Sequence, residues 1–103
     1  MVAYFTNMEN PMKLKDKFII ADPRDNVATA RVEVDEGTIL DFDDGVQMAV
    51  KERIPFGHKV ALENVPKGEP IIKYGQRIGV ATVDISIGEL VHTKNLGGER
   101  GKA

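Results

Sequence analysis

Short apolar runs separated by turn signals make up most of this sequence. Phe18, Ile19 and Ile20 form the first run, which is typical of a buried strand. The stretch Val27–Val34 then alternates apolar and polar side chains, and a period of two indicates a strand with one buried face. Between them, residues 22–26 carry Asp, Pro and Asn, which favour turns. The sequence therefore predicts two strands joined by a turn.

A hairpin is predicted in the middle of the chain. Thr38–Phe42 and Val46–Arg53 flank the residues Asp43-Asp44-Gly45, a strong turn signal between two strands. A helix over residues 46–53 is the alternative. Because Gly45 and Pro55 bracket that segment closely, we favour a strand.

Further short strands are predicted downstream, at Val60–Leu62, Pro70–Tyr74, Gln76–Asp84 and Glu89–Thr93. Turn signals recur about every 8–12 residues, which is typical of a compact all-β domain. No segment of useful length has the helical period, and no internal repeat is apparent. The predicted fold class is all-β, with short strands folded over a small core.

The pattern divides the chain into three parts. Residues 1–16 have no clear period and contain the break Asn10-Pro11, so we expect an N-terminal arm that either docks on a partner or frays. Residues 17–96 form the predicted domain. Residues 97–103 are rich in glycine and charge, and we expect a flexible tail.

Composition narrows the classes of function. The 103 residues suffice for one domain of ordinary size, but they are few for a complete metabolic enzyme. The net charge of -2 and the absence of a basic stripe argue against nucleic acid as a partner. Without cysteine there is neither a disulfide nor a thiolate site. No secretion signal or membrane-spanning run is recognisable, so we expect no membrane association and a cytoplasmic location.

A few polar residues could carry chemistry. His58 and His92 each lie among polar residues and glycines, although a lone histidine is as often structural or merely exposed. Lys59 and Lys73 could contact an anion. The alternative is that each ammonium is simply exposed to solvent. Tyr74 could donate a hydrogen bond to a sugar hydroxyl or could simply pack. These residues alone indicate a small β domain that binds an anion.

Two stretches resemble a known family. ADPRDNVATARV, from Ala21 to Val32, is similar to the opening motif of the SAF domain of altronate and galactarate dehydratases. The second stretch, IPFGHKVALENVPKGEPIIKYGQRIGVATVDISIGELVHTKNL, runs from Ile54 to Leu96 and resembles the same domain. Its FGHK, IKYG and VHT blocks occur in the family's order and spacing.

The resemblance implies a SAF-type β-clip fold, in which a long hairpin folds back on itself. It also implies a larger partner, the large dehydratase subunit, and an oligomeric assembly that acts on a sugar acid. Because the chain ends at Ala103, we expect the family's two-subunit arrangement, with this chain as the small subunit and inactive by itself. The resemblance further implies a divalent metal, Fe2+, whose ligands come mostly from the large subunit.

The dehydratase hypothesis assigns roles to individual residues. His58 and His92 are the candidates for proton transfer or metal ligation. The candidates for contacts with substrate carboxylate or hydroxyl groups are Lys59, Lys73, Tyr74, Lys94 and Asn95. Family members often carry a second histidine where this chain has Lys94, so the resemblance leaves open whether Lys94 replaces a ligand or a positive contact.

Two other functions fit the same motifs. The small subunit of a sulfolactate sulfo-lyase is similar, and only a substrate screen or a neighbouring gene would separate the two enzymes. SAF domains also occur as non-catalytic carbohydrate-binding or protein-interaction modules. An adjacent gene for a dehydratase large subunit would argue against that module.

Overall fold

The computed structural model describes residues 12–42 and 45–98. A single helical turn, α1, spans Leu14–Lys17 in those ranges. The strands are β1 Met12–Lys13, β2 Phe18–Ile19, β3 Val27–Ala30, β4 Ile39–Asp41, β5 Gln47–Ala49, β6 Lys59–Ala61, β7 Pro70–Lys73, β8 Gln76–Ala81, β9 Leu90–Val91 and β10 Leu96–Gly97. Within the two ranges, no helix is long and apolar enough to cross a membrane.

A four-stranded antiparallel sheet lies at the centre, in the order β2-β3-β6-β9. Its register aligns Ile19, Thr29, Lys59 and Val91 in one row across the sheet. Successive side chains of a strand point to opposite faces. The side chains of this row lie on one side of the sheet, which we call the second face. The opposite side, which carries Ala28, Ala30 and Val60, is the first face.

Two hairpins cover the two faces. The hairpin β4–β5, with β1 parallel to β4, packs Leu40 and Met48 into a core cluster with first-face residues such as Val60. The hairpin β7–β8, with β10 antiparallel to β8, packs Ile71 into a second cluster with second-face residues such as Val91. The central sheet is therefore enclosed between two hairpins, each with its own core.

Many backbone hydrogen bonds of residues 27–42 and 45–57 recur 31 residues later. Val34 exchanges two bonds with Ile54, and Val65 does the same with Ile85. Pairing of β3 with β6 is repeated by pairing of β6 with β9 in the equivalent register. The expectation of no internal repeat was therefore wrong. It failed because only five of the 31 aligned positions are identical, as comparison of the two stretches shows.

Each half ends in a turn that depends on a glycine. Gly57 and Gly88 occupy equivalent positions with φ of 82° and 91°. Residues with a Cβ rarely adopt such angles, whereas glycine adopts them readily. Gly88 is also closely packed, since an added Cβ would overlap the carbonyl oxygen of Ala49, while the space around Gly57 is open.

The all-β prediction and the hairpin after Thr38 are confirmed. The strand predicted over residues 46–53 is shorter, because only Gln47–Ala49 pairs with β4. Of the predicted N-terminal arm, residues 12–16 contribute β1 and the start of α1, and Leu14 is buried in the first core cluster. Residues 1–11, and all but 97–98 of the predicted tail, lie outside the described ranges.

Candidate functional site

The fold brings His58 and His92 together on the first face. His58 directly precedes β6 and His92 directly follows β9, and the pairing of Lys59 with Val91 sets the two histidines opposite each other. Their rings are stacked, with centroids 4.7 Å apart and planes inclined by 20°. Two residues far apart in the sequence thus form one imidazole pair, partly accessible to solvent.

The surroundings of the rings assign a proton. Nδ1 of His58 lies 3.3 Å from the carbonyl oxygen of Phe56. A carbonyl can only accept, so this hydrogen bond exists when Nδ1 carries the proton, and the neutral ring then has its lone pair on Nε2. Nδ1 of His92 lies 3.2 Å from the Thr93 hydroxyl, which can donate or accept. With Nδ1 protonated, the neutral ring of His58 therefore has Nε2 as its hydrogen-bond acceptor.

Asn95 holds the loop that carries His92. Its side chain is buried, with 4% of its surface exposed. The side-chain oxygen accepts the backbone N–H of His92 at 2.9 Å, and the amide nitrogen donates to the Leu90 carbonyl at 2.8 Å. In this arrangement Asn95 fixes the backbone around His92 rather than facing solvent.

Lys94 forms an ion pair with Glu52. Its ammonium lies 2.8 Å from one carboxylate oxygen of Glu52, and the other oxygen accepts the backbone N–H of Leu90 at 3.0 Å. Burial opposes ionisation of Glu52, but these two hydrogen bonds outweigh it and leave the pKa of Glu52 below its usual value. Sequence reasoning missed Glu52, because its stretch is an ordinary charged surface segment.

The other predicted contacts lie on the second face. Lys59 follows His58 directly and belongs to the row that includes Thr29 and Val91, so its side chain points away from the imidazole pair. Burial lowers the pKa of Lys59, and the nearby Lys73 ammonium lowers it further. The Lys73 ammonium also lies 5.1 Å from the ring centre of Tyr74. The seven candidates therefore divide into two groups.

Asp25 and Asn26 hold the second hairpin, β7–β8, in place, and we call these two residues the clamp. The buried carboxylate of Asp25 accepts backbone N–H groups of Asp22, Tyr74 and Gly75 at 3.1, 3.0 and 2.8 Å. The Asn26 amide accepts from the N–H of Ile72 and donates to the carbonyl of Pro70. The turn motif found in the sequence therefore also acts at long range.

Asp22 and Arg24 form a local pair at the edge of this clamp. Arg24 donates from its backbone N–H and its guanidinium to the Asp22 carboxylate, with distances of 2.9–3.0 Å. These hydrogen bonds lower the pKa of Asp22 to about 2. The guanidinium also lies against Gly75, where an added Cβ would collide with it. The guanidinium of Arg24 is thus paired with a carboxylate of the same turn.

The imidazole pair does not fit a shared metal ion. A metal ligated by imidazole lies about 2.0–2.1 Å from the nitrogen and near the plane of the ring. The planes of His58 and His92 are almost parallel and too far apart to meet at such a distance. In residues 12–42 and 45–98, no three His, Asp or Glu side chains are grouped so that they could hold an ion.

Comparison with known proteins agrees with this architecture. Residues 16–99 match the model of the altronate/galactarate dehydratase SAF domain. Altronate dehydratase from Bacillus subtilis is 42% identical over 76% of this chain, but the chain covers only 16% of that enzyme. The (2R)-sulfolactate sulfo-lyase subunit alpha from Chromohalobacter salexigens is 36% identical over 77% of this chain and 90% of its own length.

The chain thus corresponds to under a fifth of the curated altronate dehydratases, of which the Escherichia coli enzyme is a second example at 41% identity and 14% of its length. The relatives are lyases in which this domain is part of a larger enzyme or one subunit of it. Since the family model covers most of the sequence, the chain belongs to the altronate/galactarate dehydratase SAF domain family.

Proposed function

We propose that this chain is the small subunit of a sugar-acid dehydratase of the altronate/galactarate type. In this hypothesis it supplies the imidazole pair His58–His92 to an active site that a large subunit completes, in the cytoplasm. The relatives' names support a lyase, and the stacked pair 4.7 Å apart is the observation that carries the assignment of the site. The pair is partly accessible, so a partner or substrate can reach it.

The proposed reaction removes water from a 2,3-dihydroxy acid, an arrangement that sugar acids contain. A base takes the proton from the carbon next to the carboxylate, and the electrons of that C–H bond form a C=C bond. The hydroxyl group on the next carbon then leaves with a proton from an acid, as water. In this proposal His58 is the base, through Nε2, and His92 is the acid; the hydrogen bond of His58 Nδ1 and the stacking of the two rings support these roles. The enol product becomes the keto acid.

The divalent metal stays within the proposal as a component of the large subunit. The family resemblance implies Fe2+, which would place positive charge where negative charge develops in the reaction. Because the imidazole pair does not fit a shared ion, we assign no metal ligand to this chain. His58 and His92 therefore act in proton transfer in this hypothesis.

The decisive experiment assays a panel of sugar acids with this chain, with a dehydratase large subunit, and with the mixture, in the presence of Fe2+. We expect keto acid only from the mixture. Replacement H58A or H92A should lower kcat about 100-fold or more, in line with general acid–base catalysis. K67A, at an exposed turn on another part of the surface, is the matched control. Unchanged turnover in both histidine variants, with association intact, would remove the imidazole pair from the mechanism.

A sulfo-lyase subunit is the second candidate. One observation favours it, namely that the Chromohalobacter subunit alpha is matched over 90% of its length, as expected for a chain of the same kind. A mixture of this chain with a sulfo-lyase large subunit should then release sulfite from sulfolactate and leave the sugar acids unchanged. Keto acid from a sugar acid without sulfite release would contradict this second function.

A further inference from the structure

The second face of the central sheet carries a pair of cations that the proposed reaction does not use. Lys59 is half-buried in the row that includes Thr29, and Lys73 ends β7 near it. In residues 12–42 and 45–98, no carboxylate pairs with either ammonium, whereas Arg24, Arg53 and Lys94 each have one. Two unpaired ammonium groups that repel each other are costly unless an anion joins them.

Repulsion is visible in the electrostatics of Lys59. Burial lowers its pKa, and Lys73 adds to the effect, so both the lost hydration and the like charge disfavour its protonated form. A bound anion would offset both effects by supplying an opposite charge. Lys73 gains only a weak contact, with the ring of Tyr74 at 5.1 Å.

Two hydroxyl groups accompany the cations. The Oγ1 atom of Thr29, across from Lys59 in the register, is buried without a hydrogen-bond partner. Buried polar atoms are nearly always satisfied, and an exception suggests a missing ligand. Tyr74 is 65% exposed, and its φ of 57° is unusual for a residue with a side chain. The Asp25 clamp holds it there through its N–H.

We propose that Lys59 and Lys73, with the hydroxyls of Thr29 and Tyr74, form a binding subsite for a small organic-acid anion. The ammonium groups would contact the carboxylate as point charges, and the hydroxyls would meet the hydroxyl groups of a hydroxy acid. The Oγ1 atom of Thr29 is buried in this structure, so its participation requires neighbouring side chains to move. The subsite lies on the face opposite the imidazole pair and goes beyond the proposed dehydratase function.

The test is a titration of the isolated chain with tartrate, a small hydroxy dicarboxylate, followed by NMR at constant ionic strength. Saturable shifts are expected for the amide signals of Thr29, Lys59, Lys73 and Tyr74. At saturation the pKa of Lys59, read from its side-chain carbon signals, should rise. K59M and K73M should each weaken binding about tenfold, the effect of one charge-assisted hydrogen bond. T29V should weaken it less.

The controls separate this subsite from other effects. K67M removes an exposed lysine outside the subsite and should bind tartrate like the wild-type chain. Binding that survives K59M and K73M, or a response that sodium chloride reproduces, would overturn the proposal. Inorganic phosphate binding as tightly as tartrate would contradict its preference for an organic acid. Loss of turnover in the histidine variants tests the proposed function alone, so the two can fail independently.

Discussion

The two halves of this domain share a backbone frame but differ in what is attached to it. Residues 27–42 and 45–57 share many backbone hydrogen bonds with the positions 31 residues later, and each half ends in a turn at Gly57 or Gly88. The candidate histidines lie where the second half begins and just after it ends, at His58 and His92. The repeated frame thus sets the relative positions of the two candidate histidines.

The halves also differ in how their hairpins are held. The second hairpin has its tip bonded to Asp25 and its first strand to Asn26, both of which precede the repeat. The first hairpin is flanked by the short parallel strand β1. The second hairpin, whose tip carries Tyr74 next to Lys73, is therefore fixed by buried side chains, as a binding surface requires.

Removing the clamp should have the largest effect on stability. D25A takes away the acceptor of three backbone N–H groups, and buried donors left without a partner are costly. We expect a loss of about 3 kcal/mol or more in the free energy of unfolding, measured with urea. D84A is the matched control, because Asp84 accepts one exposed N–H, from Lys67, and should cost about 1 kcal/mol. Equal losses of stability in D25A and D84A would show that the bonds of Asp25 contribute no more than one exposed hydrogen bond.

The equivalent turn glycines should respond unequally. G57A places a side chain at a φ of 82° in open space and should cost about 1–2 kcal/mol from backbone strain alone. G88A adds the overlap with the Ala49 carbonyl, and we expect a total loss of about 3 kcal/mol. Urea unfolding of both variants checks the difference. A loss for G57A as large as for G88A would mean that packing between the halves is unimportant at this turn.

The strands and turns could be predicted because alternation and turn residues are local signals. The three-layer arrangement could not, since it depends on which strands pair, and Val34 with Ile54 looks no more compatible in sequence than other apolar pairs. The repeat was hidden for a related reason. Backbone hydrogen bonds need no particular side chain, so Thr38 and Glu69 occupy equivalent positions without resembling each other.

The site was only partly predictable. The histidines could be named from the sequence, but their stacking depends on the register of β6 with β9. Residue type also does not show that the side chains of His58 and Lys59 point to opposite faces of the sheet. That orientation follows only from the strand that begins at Lys59. Glu52 and the long-range bonds of Asp25 were missed because their partners lie far away in the chain.

A smaller effect is expected at Glu52, which joins the first half to Leu90 and Lys94 in the segment after the second half. Its equivalent in the second half is the exposed Val83, so this contact belongs to one half only. The pKa of Glu52 is lowered in the folded chain, so its carboxylate stabilises the fold above its ordinary pKa, and that contribution is lost as the pH falls through the lowered value.

E52Q should therefore cost about 0.5–1 kcal/mol at pH 7 and progressively less below about pH 4.5, measured by urea unfolding across the pH range. E33Q, which breaks the more exposed pair of Glu33 with Arg53, is the matched control and should cost less. A cost for E52Q that is independent of pH would show that the charge of Glu52 contributes nothing.

The last change should be stabilising. Thr29 of the first half is equivalent to Val60 of the second, and Val60 is fully buried in its core cluster. T29V therefore copies the second half and removes a buried hydroxyl without a hydrogen-bond partner. We expect a gain of about 1 kcal/mol in the ligand-free chain, from thermal or urea unfolding. T29S, which keeps the hydroxyl and loses a methyl group, should instead destabilise. If T29V also destabilises, the hydroxyl is already satisfied in solution, and the two halves differ at this position for a structural reason.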